Sequence, residues 1–200
     1  MDAQHIQQLH AQTPGTAQRI HLNNAGASLP PQVVTEIMRD CLALEAQFGG
    51  YEVADAKAEE LSGFYTAVAT LLGAKPHNIA FAGSATEAYA RALSAIPFQA
   101  GEVILTTEND YVSNQIAFLA LEKYRGVQIV RARDSSAGGV DVEDFDRQLK
   151  KWRPRLAAVT HVPTNSGLVQ PVAAIGKICR AHDIWYLVDA GQSAGHCAGQ

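Results

Sequence analysis

The feature that most restricts the fold of this chain is an alternation, after Gly73, of short apolar runs with segments of helical length. Short continuous apolar runs separated by helices indicate parallel strands that are buried on both faces. The alternation therefore predicts an α/β fold with a mostly parallel sheet and helices on both faces, with ligands at the carboxyl ends of the strands. The predicted strands are Ile79–Ala82, Val103–Thr106, Val127–Arg131, Leu156–Val162 and Ile184–Val188.

Helical spacing of apolar residues precedes this alternation. Residues 33–48 and residues 61–72 each have apolar side chains at helical intervals, which predicts two amphipathic helices. Of the 200 residues, 47% are hydrophobic and 18% are charged, which is enough apolar material for one sizeable core. No repeat or low-complexity linker divides the chain.

Charge and cysteine spacing argue against several classes of partner. A formal net charge of −4 gives no electrostatic reason to bind nucleic acid or an anionic membrane, which leaves small molecules or proteins. No apolar run approaches the roughly 20 residues that span a bilayer, and the first residues do not resemble a signal peptide, so we expect a cytoplasmic protein. Cys41, Cys179 and Cys197 lack metal-ligand spacing, so we expect no metal site and reduced cysteines, at least two of them in helices.

Small residues follow the first predicted strand, in the run from Phe81 to Glu87. Ser84 and Glu87 have the spacing of a capping box, so the run marks the start of a helix. Small side chains let a ligand approach the free N–H groups of the first turn, where the helix dipole favours an anion. The run therefore predicts either a capped helix alone or a phosphate site at its N-terminus.

An acidic residue, Asp189, follows the last predicted strand and precedes Ala190, Gly191 and Gln192. A Mg²⁺ ligand of a phosphotransferase would require a Walker-type phosphate loop, which the sequence lacks. Two interpretations remain, a structural carboxylate or a partner for a protonated ring nitrogen. For pyridoxal phosphate, such a partner keeps the ring able to accept electrons.

A polar turn, His161–Gly167, follows the fourth predicted strand. Its amide and hydroxyl groups have the reach to bind a ring hydroxyl, although polar turns after strands are common. His161 is equally consistent with a hydrogen-bonded core histidine. Polar groups therefore follow three of the predicted strands.

Five motifs, taken in order, resemble those of class V aminotransferases and cysteine desulfurases, which are pyridoxal-phosphate-dependent enzymes of fold type I. They are LNNAGASLPP at residues 22–31, GSATEAY at 83–89, TTENDY at 106–111, THVPTNSG at 160–167 and VDAGQSAGH at 188–196. Each motif is weak alone, but their order and spacing are specific. The resemblance implies an N-terminal helix or arm at residues 1–21 and a fold-type-I large domain at residues 22–200, of which only the first part is present.

The resemblance implies cofactor contacts for individual residues. Ala85 and Thr86 match the positions that bind the cofactor phosphate, through a backbone N–H and a hydroxyl. Asp189 matches the aspartate paired with the pyridine nitrogen. Gln192 matches the residue that hydrogen-bonds the ring hydroxyl.

Other positions depart from the family pattern. Thr164 stands where many relatives have an asparagine against the ring, and Asn165 is one place later, so either is a candidate. Asn109 stands where desulfurases usually have a histidine stacked on the ring; an amide cannot shuttle a proton, and Tyr111 is the alternative aromatic face. Asn109 thus favours an aminotransferase-like enzyme over a true desulfurase. Asn24 matches a segment that contacts substrate.

The Schiff-base lysine of the family lies beyond the aspartate–glutamine motif, so we expect it after Gln200, with the late strands and the small domain. No catalytic residue is assigned within the chain. Without those strands, Ile79–Ala82 lacks its antiparallel partner, and we expect an exposed apolar sheet edge that favours association. The lysines of the chain are expected at the surface; they are Lys57, Lys75, Lys123, Lys150, Lys151 and Lys177.

The resemblance implies a pyridoxal-phosphate enzyme, a homodimer when full length, that acts on an amino acid by transamination, carbon–sulfur lysis, desulfuration or epimerisation. The motifs do not select among these reactions. One alternative is a non-catalytic α/β module that binds a phosphate or nucleotide, although no GxGxxG follows the first predicted strand. Another is an inactive remnant that acts by association.

Overall fold

The structure, a computed structural model, describes residues 2–196, and the chain divides into two compact units, Met1–Ala80 and Phe81–Gln200. The two helices predicted at 33–48 and 61–72 are confirmed in the first unit, at Gln32–Phe48 and Ala58–Leu72. Within residues 2–196 no helix is both long and apolar enough to cross a membrane. The helices of this unit are α1 Ala3–Ala11, α2 Asn24–Ala27, α3 Gln32–Phe48, α4 Gly50–Ala56 and α5 Ala58–Leu72.

Glycines determine where the longer helices of the first unit end. Gly49 has a φ of 95°, which separates α3 from α4. Gly73 ends α5 in the left-handed region, with a φ of 61°. Residues with a Cβ rarely adopt these angles, so both breaks follow from the sequence.

The helices and strands of the second unit are α6 Ala85–Ser94, β1 Val103–Thr107, α7 Val112–Arg125, β2 Gln128–Ala132, α8 Val142–Trp152, β3 Leu156–Thr160, α9 Val172–Ala181 and β4 Trp185–Asp189. The strands form a four-stranded parallel sheet in the order β2-β1-β3-β4. Four of the five predicted strands are confirmed, with ends shifted by one or two residues.

The prediction of a strand at Ile79–Ala82 is wrong. The segment follows a 3₁₀ turn, Pro76–Asn78, and Ile79 is extended, but the described residues provide it with no pairing strand. A strand exists through its ladder hydrogen bonds, so an apolar extended run without a partner is not one. Apolarity alone indicates burial and leaves the pairing undetermined.

Alternate strand residues separate the core into two layers. Leu105, Ala157 and Val159 pack with side chains of α8 and α9, including Phe145 and Ile175. The intervening residues pack with side chains of α6 and α7 on the other face; they are Ile104, Leu156 and Ala158. This alternation confirms the predicted sheet covered by helices on both faces.

The register of the strands aligns their carboxyl ends. Thr160 pairs with Asp189 across β3 and β4, and Thr107 pairs with Ala132 across β1 and β2. The segments that follow these strands therefore leave from one edge of the sheet. β4 is an outer strand of the described sheet, and its Trp185 is 49% exposed.

The cysteines that the structure describes are free. Cys41 lies in α3, and Cys179 lies buried in α9, which confirms the prediction that at least two cysteines lie in helices. Burial raises the pKa of the Cys179 thiol to about 11, so it remains protonated at neutral pH. Cys197 lies outside the described residues.

A buried carboxylate anchors α8 to the segment after β2. Asp144 is 2% exposed and accepts hydrogen bonds from the Arg133 backbone N–H at 2.8 Å and the Arg147 guanidinium at 3.0 Å. The Arg133 N–H, with the two arginine charges, holds the pKa of Asp144 below its usual value. A lowered pKa stabilises the fold only while the carboxyl is ionised.

We therefore expect Asp144→Asn to lower the free energy of unfolding at pH 7 by about 1–3 kcal/mol, because a buried, charge-assisted contact is lost. The deficit should shrink as the pH falls below about 4, where protonation removes the wild-type advantage. Urea unfolding at pH 7 and pH 3 measures both. The control, Asp146→Asn, breaks a partly exposed pair with Lys150 and should cost under about 1 kcal/mol. Equal losses for the two variants would contradict the assignment.

Candidate functional site

The N-terminus of α6 has a reciprocal cap. The Glu87 backbone N–H donates to Ser84 Oγ at 3.1 Å, and the Gly83 N–H donates to Glu87 Oε2 at 2.8 Å. Arg91, one turn later, holds the other oxygen of Glu87 at 2.6 Å. The predicted helix start at Ser84 is confirmed. The cap uses the N–H groups of Gly83 and Glu87, which come before and after the first two helical residues.

Those first two residues are Ala85 and Thr86, and both are exposed. Their N–H groups belong to the first turn, which has no intrahelical acceptor. The positive end of the helix dipole adds to these donors. The start of α6 can therefore receive an anion through backbone donors and the Thr86 hydroxyl.

Gly191 connects this helix start to the end of β4. A Cβ built on Gly191 would lie 3.2 Å from Asp189 Oδ1 and 3.7 Å from the Ala85 Cβ. Asp189 and Ala85 thus lie on either side of one small residue, far closer than the roughly 15 Å beyond which one cofactor could not contact both. The predicted proximity of these two residues is confirmed.

The Asp189 carboxylate is held at both oxygens. Asn114 Nδ2 donates to Oδ2 at 2.9 Å, and the Gly191 N–H donates to Oδ1 at 3.0 Å. Within residues 2–196, no Lys, Arg or His forms an ion pair with it. Gln192 follows in the same turn and is partly buried. A carboxylate without a cationic partner can pair with a cationic ligand.

A buried polar network that the sequence analysis missed lies against Asp189. Its centre is Asp110, which is 8% exposed and accepts hydrogen bonds from several donors, including the hydroxyls of Thr106 and Thr160. Asn114 links Asp110 to Asp189. The one local signal is the four-residue interval between Asp110, which lies just before the N-cap of α7, and Asn114 in the first turn of that helix.

The structure brings two predicted site residues, Asn109 and Asn165, into one hydrogen-bonded chain. Asn165 Nδ2 lies 3.4 Å from Asn109 Oδ1, and Asn109 Nδ2 donates to Asp134 Oδ2 at 2.6 Å. Both ends of the Asn109 amide are thus used within the protein. Thr164 is exposed in the same turn after β3, and Tyr111 is partly buried at the start of α7.

His161 joins the turns that follow β3 and β4. Its Nδ1 lies 2.9 Å from the hydroxyl of the buried Ser193, and its backbone N–H donates to the Asp189 carbonyl at 2.8 Å. This agrees with the hydrogen-bonded core histidine that the sequence left open. The contact fixes the turn carrying Gln192 relative to the turn carrying Thr164.

Tyr89 lies beneath the site on the buried side of α6. Burial, together with the charges of Asp110 and Asp189, raises the pKa of its phenol well above the usual range. The phenol therefore remains protonated and adds no negative charge to the two carboxylates nearby.

Asn24 and the six lysines are the remaining positions that the sequence analysis singled out. Asn24 begins α2 in the first unit, where its amide donates to the His21 carbonyl at 3.3 Å, so its substrate role stays a prediction. The surface location predicted for the lysines is confirmed, since five are exposed and Lys57, paired with Glu60, is partly exposed.

The sequence of this chain matches a protein family and several curated proteins. The model of the aminotransferase class-V family matches residues 20–198. Cysteine desulfurase IscS of Buchnera aphidicola is 32% identical over 134 residues, which are 66% of this chain and 33% of that protein. Cysteine desulfurase IscS of Enterobacter sp. strain 638 is 30% identical over 184 residues, 88% of this chain and 45% of that protein.

Solved structures share the fold. The apo cysteine desulfurase from Thermococcus onnurineus NA1 superposes with a TM-score of 0.82 at 26% identity, covering 95% of this chain and 48% of that one. The cystine C–S lyase C-DES, in complex with cysteine persulfide, has a TM-score of 0.84 at 22% identity, with coverages of 94% and 51%. The chain thus spans about half or less of the proteins that it matches.

The cap of α6 gives a test of the local structure. Ser84→Ala should lower the free energy of unfolding by about 1 kcal/mol, because the Glu87 N–H loses its acceptor. Ser94→Ala is the matched control at the other end of α6, where the hydroxyl donates only to the Arg91 carbonyl, and it should have less effect. Urea unfolding of both variants measures the difference, and equal losses would show that Ser84 is not a functioning cap.

Proposed function

Because the chain belongs to the class-V aminotransferase family, we propose that it forms the cofactor-binding part of a pyridoxal-phosphate-dependent enzyme that cleaves a carbon–sulfur bond of a cysteine-type amino acid. The observation that carries the proposal is the meeting of the α6 N-terminus with the Asp189 carboxylate across Gly191. Asn109 alone favours an aminotransferase-like enzyme, but the names of the relatives favour carbon–sulfur cleavage among the four reactions left open by the motifs.

The phosphate end of the cofactor fits the start of α6. The N–H groups of Ala85 and Thr86 and the Thr86 hydroxyl supply the donors, and the helix dipole favours a dianion. The capped conformation of Ser84 and Glu87 preorganises these donors. No cationic side chain is needed for this type of site.

The ring end fits Asp189. Its carboxylate is fixed by Asn114 and Gly191 and has no cationic partner within the described residues, so it can accept a hydrogen bond from a protonated ring nitrogen. The bound cofactor would supply an electron-accepting ring for the electron pair released at the substrate Cα. Asp189 supports that chemistry by keeping the proton on the ring nitrogen.

The contacts within the second unit favour one candidate at each ambiguous position. Asn109 uses both ends of its amide in protein contacts, which favours Tyr111 as the aromatic face toward the ring. The Asn165 amide donates to Asn109. This favours the Thr164 hydroxyl, together with Gln192, as the hydrogen-bond partner of the ring hydroxyl. His161 fixes the two turns that carry these groups.

The parts of the function that lie outside this site are also proposals. They are a lysine beyond Gln200 that would anchor the cofactor, substrate contact by Asn24, the division into an arm at residues 1–21 and a large domain from residue 22, a homodimer, and a cytoplasmic location. The resemblance of the motifs to the family supports all of these except the location. The proposed location rests on the first residues, which do not resemble a signal peptide.

The proposal predicts that Asp189→Asn weakens binding of pyridoxine 5′-phosphate to the chain about tenfold or more, since an amide cannot form the ion pair with the ring. This ligand keeps the ring and the phosphate but has no aldehyde, so surface lysines do not react with it. Isothermal titration measures the dissociation constant. Asp146→Asn, whose carboxylate pairs with Lys150 on α8, is the charge-matched control and should bind as the unsubstituted chain does. An unchanged constant for Asp189→Asn would show that Asp189 is structural.

Thr86→Val tests the phosphate end separately. We expect it to weaken pyridoxine 5′-phosphate about fivefold to a hundredfold through the lost hydroxyl contact, on the order of 1–3 kcal/mol, while pyridoxine, which lacks the phosphate, binds as before. Equal losses for the two ligands would argue against a phosphate contact at Thr86. Competition by a nucleoside phosphate as strong as that by the cofactor would favour a general phosphate-binding module.

A further inference from the structure

The Asn114 side chain lies between two carboxylates. Its Nδ2 is 2.9 Å from Asp189 Oδ2 and 3.3 Å from Asp110 Oδ1, and the residue is 2% exposed. Thr160 Oγ1, at 3.3 Å, is a third neighbour of the same nitrogen. One amide group, shielded from water, thus connects the proposed cofactor partner to a second carboxylate.

The Asp110 carboxylate accepts more hydrogen bonds than a side chain that only caps a helix would need. The Tyr111 backbone N–H and Gln115 Nε2 each donate to it at 2.7 Å, and the Thr106 hydroxyl donates at 3.2 Å. The Thr160 hydroxyl also donates to it. These donors come from β1, β3 and α7, and such an acceptor-only role suits an ionised carboxylate. The position of Asp110 is therefore fixed from several directions.

The two carboxylates also determine which way the Asn114 amide points. Its NH₂ end faces acceptors only, and a reversed amide would direct its oxygen at two carboxylates at a large electrostatic cost. Asp110 therefore orients Asn114, and Asn114 in turn holds Oδ2 of Asp189, while the Gly191 N–H holds Oδ1.

We propose that Asn114 and Asp110 are positioning residues for Asp189, which fix its carboxylate and add negative potential behind it, so that a cofactor ring stays protonated. The inference rests on the proposed function, because it assumes that Asp189 pairs with the ring. It extends the site to a buried layer that touches neither cofactor nor substrate. Tyr89, a further titratable group near the two carboxylates, remains protonated and so adds no charge of its own to this potential.

A purely structural network would tie α7 to β3 and β4 without affecting a ligand. The positioning role and the purely structural role differ in whether the effect of removing Asn114 depends on Asp189. If Asn114 acts through Asp189, its removal matters only while Asp189 is an aspartate; a packing role persists whatever residue 189 is.

The experiment uses the 200-residue chain, pyridoxine 5′-phosphate as the probe, and Asn114→Leu, which keeps the side-chain volume and removes the donors. Alone, the substitution should raise the dissociation constant about tenfold and reduce the absorption of the protonated ring. In the Asp189→Asn background it should change the dissociation constant by less than about twofold. Gln170→Leu is the matched control: it removes another buried amide, one that accepts from the Val140 N–H, and should leave binding unchanged.

Asp110→Asn is a second, milder variant in case Asn114→Leu folds poorly, as circular dichroism would reveal. It keeps the shape and removes the charge, so the pH at which the bound ring loses its proton should fall, by up to about one unit. A packing role would leave that pH unchanged.

Equal losses from Asn114→Leu in both backgrounds, or an unchanged ring titration in Asp110→Asn, would overturn the positioning role while leaving Asp189 as the cofactor partner. A different pattern identifies failure of the proposed function. In that case the unsubstituted chain does not bind the probe, or Asp189→Asn binds it normally, and the positioning role is overturned with it.

Discussion

The parallel pairing of β3 with β4 is the constraint on which the candidate site depends. Its register places Thr160 beside Asp189 at the carboxyl edge. From there the Thr160 hydroxyl reaches Asp110, and Asn114 reaches Asp189. A slip of one residue would turn Asp189 toward the opposite face of the sheet, because strand side chains alternate. The apolar layers on the two faces oppose that slip, so core packing and site geometry have the same origin.

The proposed site divides its electrostatics between two ends. We propose that an anion binds the backbone donors and the helix dipole of α6, and that a cationic group binds the Asp189 carboxylate, which the neutral donors Asn114 and Gly191 hold. Two small residues, Ala85 and Gly191, lie close together where the two ends meet. Each end needs a rigid support, and the α6 cap and the Asp110 network supply it.

Local sequence patterns were enough to predict part of the fold and of the candidate site. The apolar runs predicted four strands, and the Ser84–Glu87 spacing predicted the start of α6, because burial and capping depend on adjacent residues. The Ile79–Ala82 strand failed because a strand also requires a partner, which no local pattern provides. The role of Asn114 was missed for a similar reason, since Asp189 is 75 positions away along the chain and only the folded sheet brings them together.

The most direct test of the proposed site is a crystal structure of the chain with pyridoxine 5′-phosphate. We expect the phosphate against the backbone N–H groups of Ala85 and Thr86, and the ring nitrogen within hydrogen-bonding distance of the Asp189 carboxylate. A ligand bound with its phosphate away from α6, or with its ring nitrogen remote from Asp189, would contradict the proposed site.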